Sequence, residues 1–293
     1  VVCVLLGGCG HLLFFPSPRL EITPREIGLL HDDVRFASAD GTALHGWFLH
    51  ARPEGTDPPP TVLFLHGNAG NMGTNLGGAY WLPSQGFNVF LFDYRGFGLS
   101  EGDADLAGAH EDAAAALEYL AAREDLDDDR IVVIGQSLGG AIALTTVAEL
   151  RATVPVRAVV IDSAPSDFRS IAREKLGSFW LTWPVQWPLS LTIPGKPEPL
   201  AAAAALENVP ILYLHGGADT IVPVHHSERL AAATGNADFV TVPDVEHVQS
   251  MALPSVQRRV VSFFRSALID DPSSLWREAR KAGRAYPSGA PGS

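Results

Sequence analysis

The stretch from Ile131 to Leu150 constrains the fold more than any other part of the sequence. An unbroken apolar run, Ile131 to Ile134, leads into Gly135-Gln136-Ser137-Leu138-Gly139-Gly140, and a helical pattern follows. A run that is apolar at every position suits a strand buried on both faces. A serine on a sharp strand-to-helix turn needs backbone angles that most residues avoid. It also needs small residues two positions to either side, so that strand and helix can approach. Gly135 and Gly139 meet that need. The start of the helix aims the Leu138 N–H at any negative charge developing near Ser137. A competing reading is a dinucleotide fingerprint, with Gly135 and Gly140 as its outer glycines and Asp162 as the ribose ligand. Ser137 stands where that fingerprint needs its middle glycine, and the strand comes late in the chain, so this reading is set aside.

The rest of the chain supplies a matching frame. Val34–Ser38 and Leu44–His50 read as an antiparallel hairpin at one edge of a sheet. Strands follow at Thr61–His66, Asn88–Asp93, Arg130–Gly135, Arg157–Asp162, Pro210–His215 and Phe239–Pro243. Between and after them lie helical patterns at Ala107–Arg123, Gly140–Leu150, His225–Ala233 and Ser255–Ile269. This alternation predicts an α/β fold: a mostly parallel central sheet with helices on both faces. Chemistry in such sheets sits beyond the carboxyl ends of the strands. Residues 166–200, rich in Trp and Pro, interrupt the alternation and read as a short aromatic cap. The expected organisation is an N-terminal segment over 1–30, one domain over 31–271 and a frayed tail over 272–293.

Composition narrows the activity. The net charge of -12 leaves no basic face for phosphates, which excludes nucleic acid as a partner. The two cysteines, Cys3 and Cys9, both precede the domain, so a thiolate nucleophile or a cysteine metal site within it is excluded. The first nine residues form an apolar run too short to span a bilayer. Leu6-Gly7-Gly8-Cys9 resembles a bacterial lipoprotein cleavage box, in which Cys9 would carry the lipid and tether an exported enzyme to a membrane. The alternative is an ordinary apolar tail on a cytoplasmic protein.

A serine nucleophile needs a base, an acid and an oxyanion site. The sequence holds ten histidines. A Ser-first order places the acid after the cap and the histidine near the C-terminus. Asp219 follows the strand and glycine turn Leu212–Gly217, and His247 ends the loop after the last strand. Asp162, also at a strand end, is the rival acid. His215 reads as part of its strand, and His225 and His226 as solvated residues opening a helix. After Thr61–Leu65, the segment His66-Gly67-Asn68-Ala69-Gly70 offers a second oxyanion donor, the N–H of Asn68, with Ala69 as an alternative. His66, fixed at the strand end, orients that loop.

Taken together, these residues resemble the α/β-hydrolase superfamily. The matches are His66-Gly67-Asn68, the segment Asp93 to Ser100, Gly135 to Gly140, Gly216 to Asp219 with Val222-Pro223, and Glu246-His247, running from about Val34 to Ile269. The resemblance implies that Asp93 and Arg95 form a structural turn, that Ser137, Asp219 and His247 form a triad, and that no cofactor or metal is used. Phe14-Phe15-Pro16 and His45-Gly46-Trp47 are similar to the branch of small membrane-anchored serine hydrolases that includes protein depalmitoylases and bacterial lipoproteins. The expected substrate is an acyl ester or thioester, small or lipid-like, with peptidase action and a non-catalytic scaffold as alternatives. Trp180, Trp183 and Trp187 of the cap are the candidate substrate contacts, with packing of the cap onto the sheet and membrane contact as alternatives.

Overall fold

The protein is described by a computed structural model that covers residues 14–52, 58–177, 183–192, 195 and 198–269. Among the described residues ten strands occur in chain order: β1 (Phe15–Pro16), β2 (His31–Ala37), β3 (Ala43–Leu49), β4 (Thr61–Leu65), β5 (Ala69–Gly70), β6 (Asn88–Asp93), β7 (Ile131–Gln136), β8 (Val156–Asp162), β9 (Ile211–Gly216) and β10 (Asp238–Val242). The α-helices are α1 (Met72–Asn75), α2 (Leu106–Ala121), α3 (Leu138–Leu150), α4 (Phe168–Gly177), α5 (Gln186–Ser190), α6 (Pro199–Ala205), α7 (His225–Thr234) and α8 (Pro254–Leu268).

Eight strands form one sheet in the order β10-β9-β8-β7-β4-β6-β3-β2. All neighbours from β10 to β6 pair in parallel, and β3 pairs antiparallel with both β6 and β2. The α/β class with a mostly parallel sheet and an antiparallel edge is thus as expected. Side chains alternate across each strand, and this splits the interior in two. Leu63, Leu65, Val133 and Ile161 pack with α2 and α3, whereas Val62, Phe64, Ile134 and Val160 pack with Met72 of α1 and with α8. The all-apolar strands are therefore those with a helical layer on each side.

The Asp93–Ser100 segment is structural. Asp93 is fully buried and its Oδ1 accepts the Met72 N–H at 2.6 Å. Arg95 donates to both carboxylate oxygens of buried Asp112 and to Asp40 of the hairpin turn. The 1–30 segment is more than a connector. Phe15–Pro16 pairs in parallel with Ala69–Gly70 as a separate two-stranded sheet, a long-range pairing with no local signal in the sequence. The cap consists of α4, a 3₁₀ turn at Trp183–Val185 and α5, while α6 packs on α3 and α7 and belongs to the domain body. Among the described residues no helix is long and apolar enough to cross a membrane. Cys3, Cys9, Trp180 and the 272–293 tail lie outside the described residues.

Candidate active site

Ser137 caps the N-terminus of α3 with φ 53° and ψ −119°, a left-handed geometry that costs a non-glycine residue about 1–3 kcal/mol. Its surroundings hold it there. The Ser137 N–H donates to the Asp162 carbonyl at 2.8 Å, and its own carbonyl accepts from Gly140 and Ala141 at 3.0 and 3.3 Å. A Cβ at Gly135 would stand 2.5 Å from the Gly139 carbonyl oxygen, and one at Gly139 would run into the Leu65 and His66 carbonyls. The turn can be this tight only because both positions are glycine.

Two loops from neighbouring strand ends meet the serine. The His247 Nε2 lies 2.9 Å from Ser137 Oγ, and its Nδ1 lies 2.7 Å from Asp219 Oδ2. A carboxylate accepts only, so Nδ1 carries the proton and Nε2 is free to accept from the hydroxyl. The two loops are fastened to each other by the Gly217 N–H on the Val242 carbonyl (2.7 Å) and the Ala218 N–H on the Val245 carbonyl (2.9 Å). The other oxygen of Asp219 accepts the N–H groups of Ile221 and Val222 at 2.8 and 2.9 Å. Burial alone would raise this carboxyl's pKa. Hydrogen bonds from His215, His247 and the Val222 N–H together outweigh burial and hold it well below the usual carboxylate range.

The rival acid has other partners. Asp162 is fully buried; its Oδ2 accepts from Gln136 Nε2 at 3.2 Å and its Oδ1 from Ser163 Oγ at 3.1 Å. Burial pushes its carboxyl above the usual value, with Gln136 and Ser163 opposing that only in part. Gln136 Nε2 also reaches the Val248 carbonyl at 3.3 Å, which ties Asp162 to the backbone beside His247. Sequence reasoning missed Gln136 because it sits inside the nucleophile motif and reads as its variable position. His215 is fully buried in β9, with Nε2 2.8 Å from the Val222 carbonyl and 3.4 Å from Asp219 Oδ2. It supports the loop that carries Asp219, and its place at the end of an apolar strand, four residues before Asp219, was the available clue.

On the oxyanion side, Asn68 and Leu138 both line the cavity beside Ser137. His66 is buried, and its Nδ1 donates to the Gly67 carbonyl at 2.7 Å. A trans peptide points its C=O and N–H in opposite directions, so pinning the Gly67 carbonyl also sets the direction of the Asn68 N–H. His66 thus has an orienting contact and none with Ser137.

The cavity has a volume of about 490 Å³. Its walls include Phe15, Pro165, Phe168, Ile171, Ala172, Leu176, Leu189, Ile221 and Val222. Of the cap tryptophans expected to contact substrate, the two described ones, Trp183 and Trp187, do not line it. Trp183 and Trp187 are 62% and 63% exposed and line a separate outer groove with Glu174 and His225. Trp187 carries the Arg173 guanidinium 4.5 Å above its ring. The cap does face the cavity, but through α4 and Leu189; the Trp–Pro pattern does not encode which side of a short helix faces inward.

Glu174, His225 and His226 are close enough together to suggest a metal centre. The hydrogen bonds argue otherwise. His226 is fully buried, not solvated as expected from the sequence, and its Nδ1 accepts the Ser166 backbone N–H at 3.1 Å. Its Nε2 must then keep its proton and donate to Glu174 at 3.2 Å. A metal at Nε2 would have to displace that proton. Burial also holds the His226 imidazole below its ordinary pKa. The other acidic group, Asp127 to Asp129, is a turn on the surface in which Asp127 caps the Asp129 N–H.

Comparison with known proteins agrees with this architecture. The family model for the alpha/beta hydrolase fold matches residues 60–187, and that for TAP-like protein matches residues 176–274. The chain is 34% identical over 286 residues to the protein YfhR of Salmonella typhi, covering 92% of this chain and 90% of that one. It is 33% identical over 268 residues to the alpha/beta hydrolase domain-containing protein WAV2 of Arabidopsis thaliana, covering 85% and 84%. Among solved structures, the Pyrococcus furiosus esterase Pf2001 superposes with a TM-score of 0.69 at 21% identity, covering 86% of this chain and 98% of that one. The chain belongs to the α/β-hydrolase superfamily, and hydrolase is the class of activity that this membership supports.

Proposed function

We propose that the protein hydrolyses carboxylic ester or thioester bonds of apolar acyl substrates through an acyl-enzyme on Ser137. One observation carries the reading: the unbroken hydrogen-bond chain Ser137–His247–Asp219 opens onto an apolar cavity. Ser137 Oγ attacks the acyl carbonyl as its proton passes to His247 Nε2, and the carbonyl π bond becomes an oxyanion. The N–H groups of Leu138 and Asn68 hold that oxyanion, and Asp219 stabilises the imidazolium. His247 then protonates the departing alcohol or thiol as the acyl bond to it breaks. A water, deprotonated by His247, attacks the acyl-serine; the acid leaves and the proton returns to Ser137.

Ser137→Ala tests the proposal. Hydrolysis of p-nitrophenyl acyl esters is expected to fall by about 10⁴-fold or more, and labelling by a fluorophosphonate probe to disappear. Full activity in that variant would end the reading. A panel of aminoacyl amides beside the esters separates a peptidase from an esterase. We propose further that the acyl substrate is lipid-like and that a lipid on Cys9 tethers the enzyme to a membrane; mass spectrometry of the native N-terminus reads this directly.

A further inference from the structure

We propose that Phe15 determines acyl-chain preference and that its backbone N–H positions the oxyanion loop, so that the segment ahead of the main sheet works as part of the active site. This rests on the acyl-hydrolase reading above.

Two separate observations on one residue support it. The first concerns the ring. Phe14 immediately precedes the strand that Phe15 opens, and the two rings have different surroundings. Phe14 is buried edge-on against Phe97, with ring centroids 6.1 Å apart. Phe15 is 63% exposed and stands on the wall of the cavity that contains Ser137. An apolar ring left this open at a cavity wall gains burial when an apolar occupant covers it.

The second concerns the backbone. The Phe15 N–H donates to the Asn68 carbonyl at 2.9 Å. His66 holds the peptide before Asn68, and Phe15 holds the one after it. The strand is fastened just beyond as well. The Ser17 N–H donates to the Gly70 carbonyl at 2.8 Å, and the Ser17 carbonyl accepts from the Gly98 N–H at 3.2 Å and from Asn71 Nδ2 at 3.0 Å. Pro16 restricts the residue before it to extended angles, which suits Phe15 to this pairing. The loop that offers an oxyanion donor therefore depends on both sides for its shape.

The experiment compares the full chain with Phe15→Ala, Phe15→Leu, Phe15→Pro and a control, Leu30→Ala, whose exposed side chain lies outside the cavity lining. Readouts are kcat and KM on p-nitrophenyl acetate and octanoate, Tm, and the rate of labelling by alkyl fluorophosphonates of short and long chain. In Phe15→Ala the octanoate-to-acetate ratio of kcat/KM is expected to fall about tenfold, mostly through KM, and Phe15→Leu to restore most of it. Phe15→Pro removes the backbone donor together with the ring and, beyond whatever Phe15→Ala loses, is expected to lower kcat and the labelling rate about tenfold for both chain lengths. An unchanged chain-length ratio in Phe15→Ala overturns the specificity role. Unchanged kcat and labelling in Phe15→Pro overturn the positioning role. Equal losses in both variants, tracking a fall in Tm, reduce the strand to a structural element. A wild type that labels but cleaves no ester disproves the ester reading alone, since the labelling rates still report on Phe15. A wild type that neither labels nor cleaves disproves the parent proposal.

Discussion

At the scale of single residues, two buried carboxylates beside the same histidine loop respond to pH in opposite directions. The folded-state pKa of Asp219 lies below the ordinary carboxylate value, so its contribution to stability is present above that value and is lost as pH falls toward the folded pKa. Asp162 is raised by burial, so its contribution is present at low pH and is lost as pH rises through its folded pKa. Accordingly, the Tm of Asp162→Asn relative to wild type is expected to be higher at about pH 7.5 than at about pH 4.5; calorimetry at the two values checks this, and a difference that does not change with pH contradicts it. Asp219→Asn is expected to lower kcat by about 10³–10⁴-fold with little change in KM, because an amide facing His247 Nδ1 favours the wrong tautomer. Which acid meets His247 is a matter of where loops cross. Ser137 and its two glycines were legible because a tight turn imposes local chemistry. The preference for Asp219 over Asp162 came from chain order, not from local sequence.

At the scale of elements, α4 is fastened over the cavity by two of its polar side chains, Glu174 and Lys175. Glu174 takes hydrogen bonds from His225 and His226 of α7, and Lys175 Nζ donates to the Thr220 carbonyl at 2.7 Å. These hold the cap to the start of α7 and to the loop that carries Asp219. Glu174→Ala would leave the buried His226 Nε2–H without its acceptor, at a cost of about 1–3 kcal/mol. The expected result is a lower Tm together with a KM for long-chain esters raised about threefold to tenfold, measured on the same ester series; an unchanged KM would detach the cap from substrate binding. The strands of the main sheet were legible from apolar runs, because a strand covered on both faces leaves its mark at every position. The short strand at Phe15–Pro16 and the burial of His226 were not. Each depends on a partner more than fifty residues away in sequence, Ala69 and Ser166 respectively, and such contacts leave no periodicity.

At the scale of the whole molecule, the main sheet serves two cores at once, and the chemistry gathers where β7, β9 and β10 end. The net charge of -12 sets the field in which substrates arrive. Anionic acyl substrates such as acyl-CoA thioesters should meet long-range repulsion, which salt screens over a Debye length of about 10 Å at 0.1 M. Raising ionic strength is therefore expected to increase kcat/KM for an anionic thioester and to leave that for a neutral ester nearly unchanged; the reverse order would contradict a repulsive field. The pairing of β1 with β5 also bears on where the working unit begins. A protein trimmed to start at His31 would retain all eight strands of the large sheet and nearly all of both cores, and could pass ordinary tests of folding. It would also lose Phe15 from the cavity wall and the Phe15 N–H bond to the Asn68 carbonyl. A boundary drawn from the sheet alone would cut away part of the wall around Ser137.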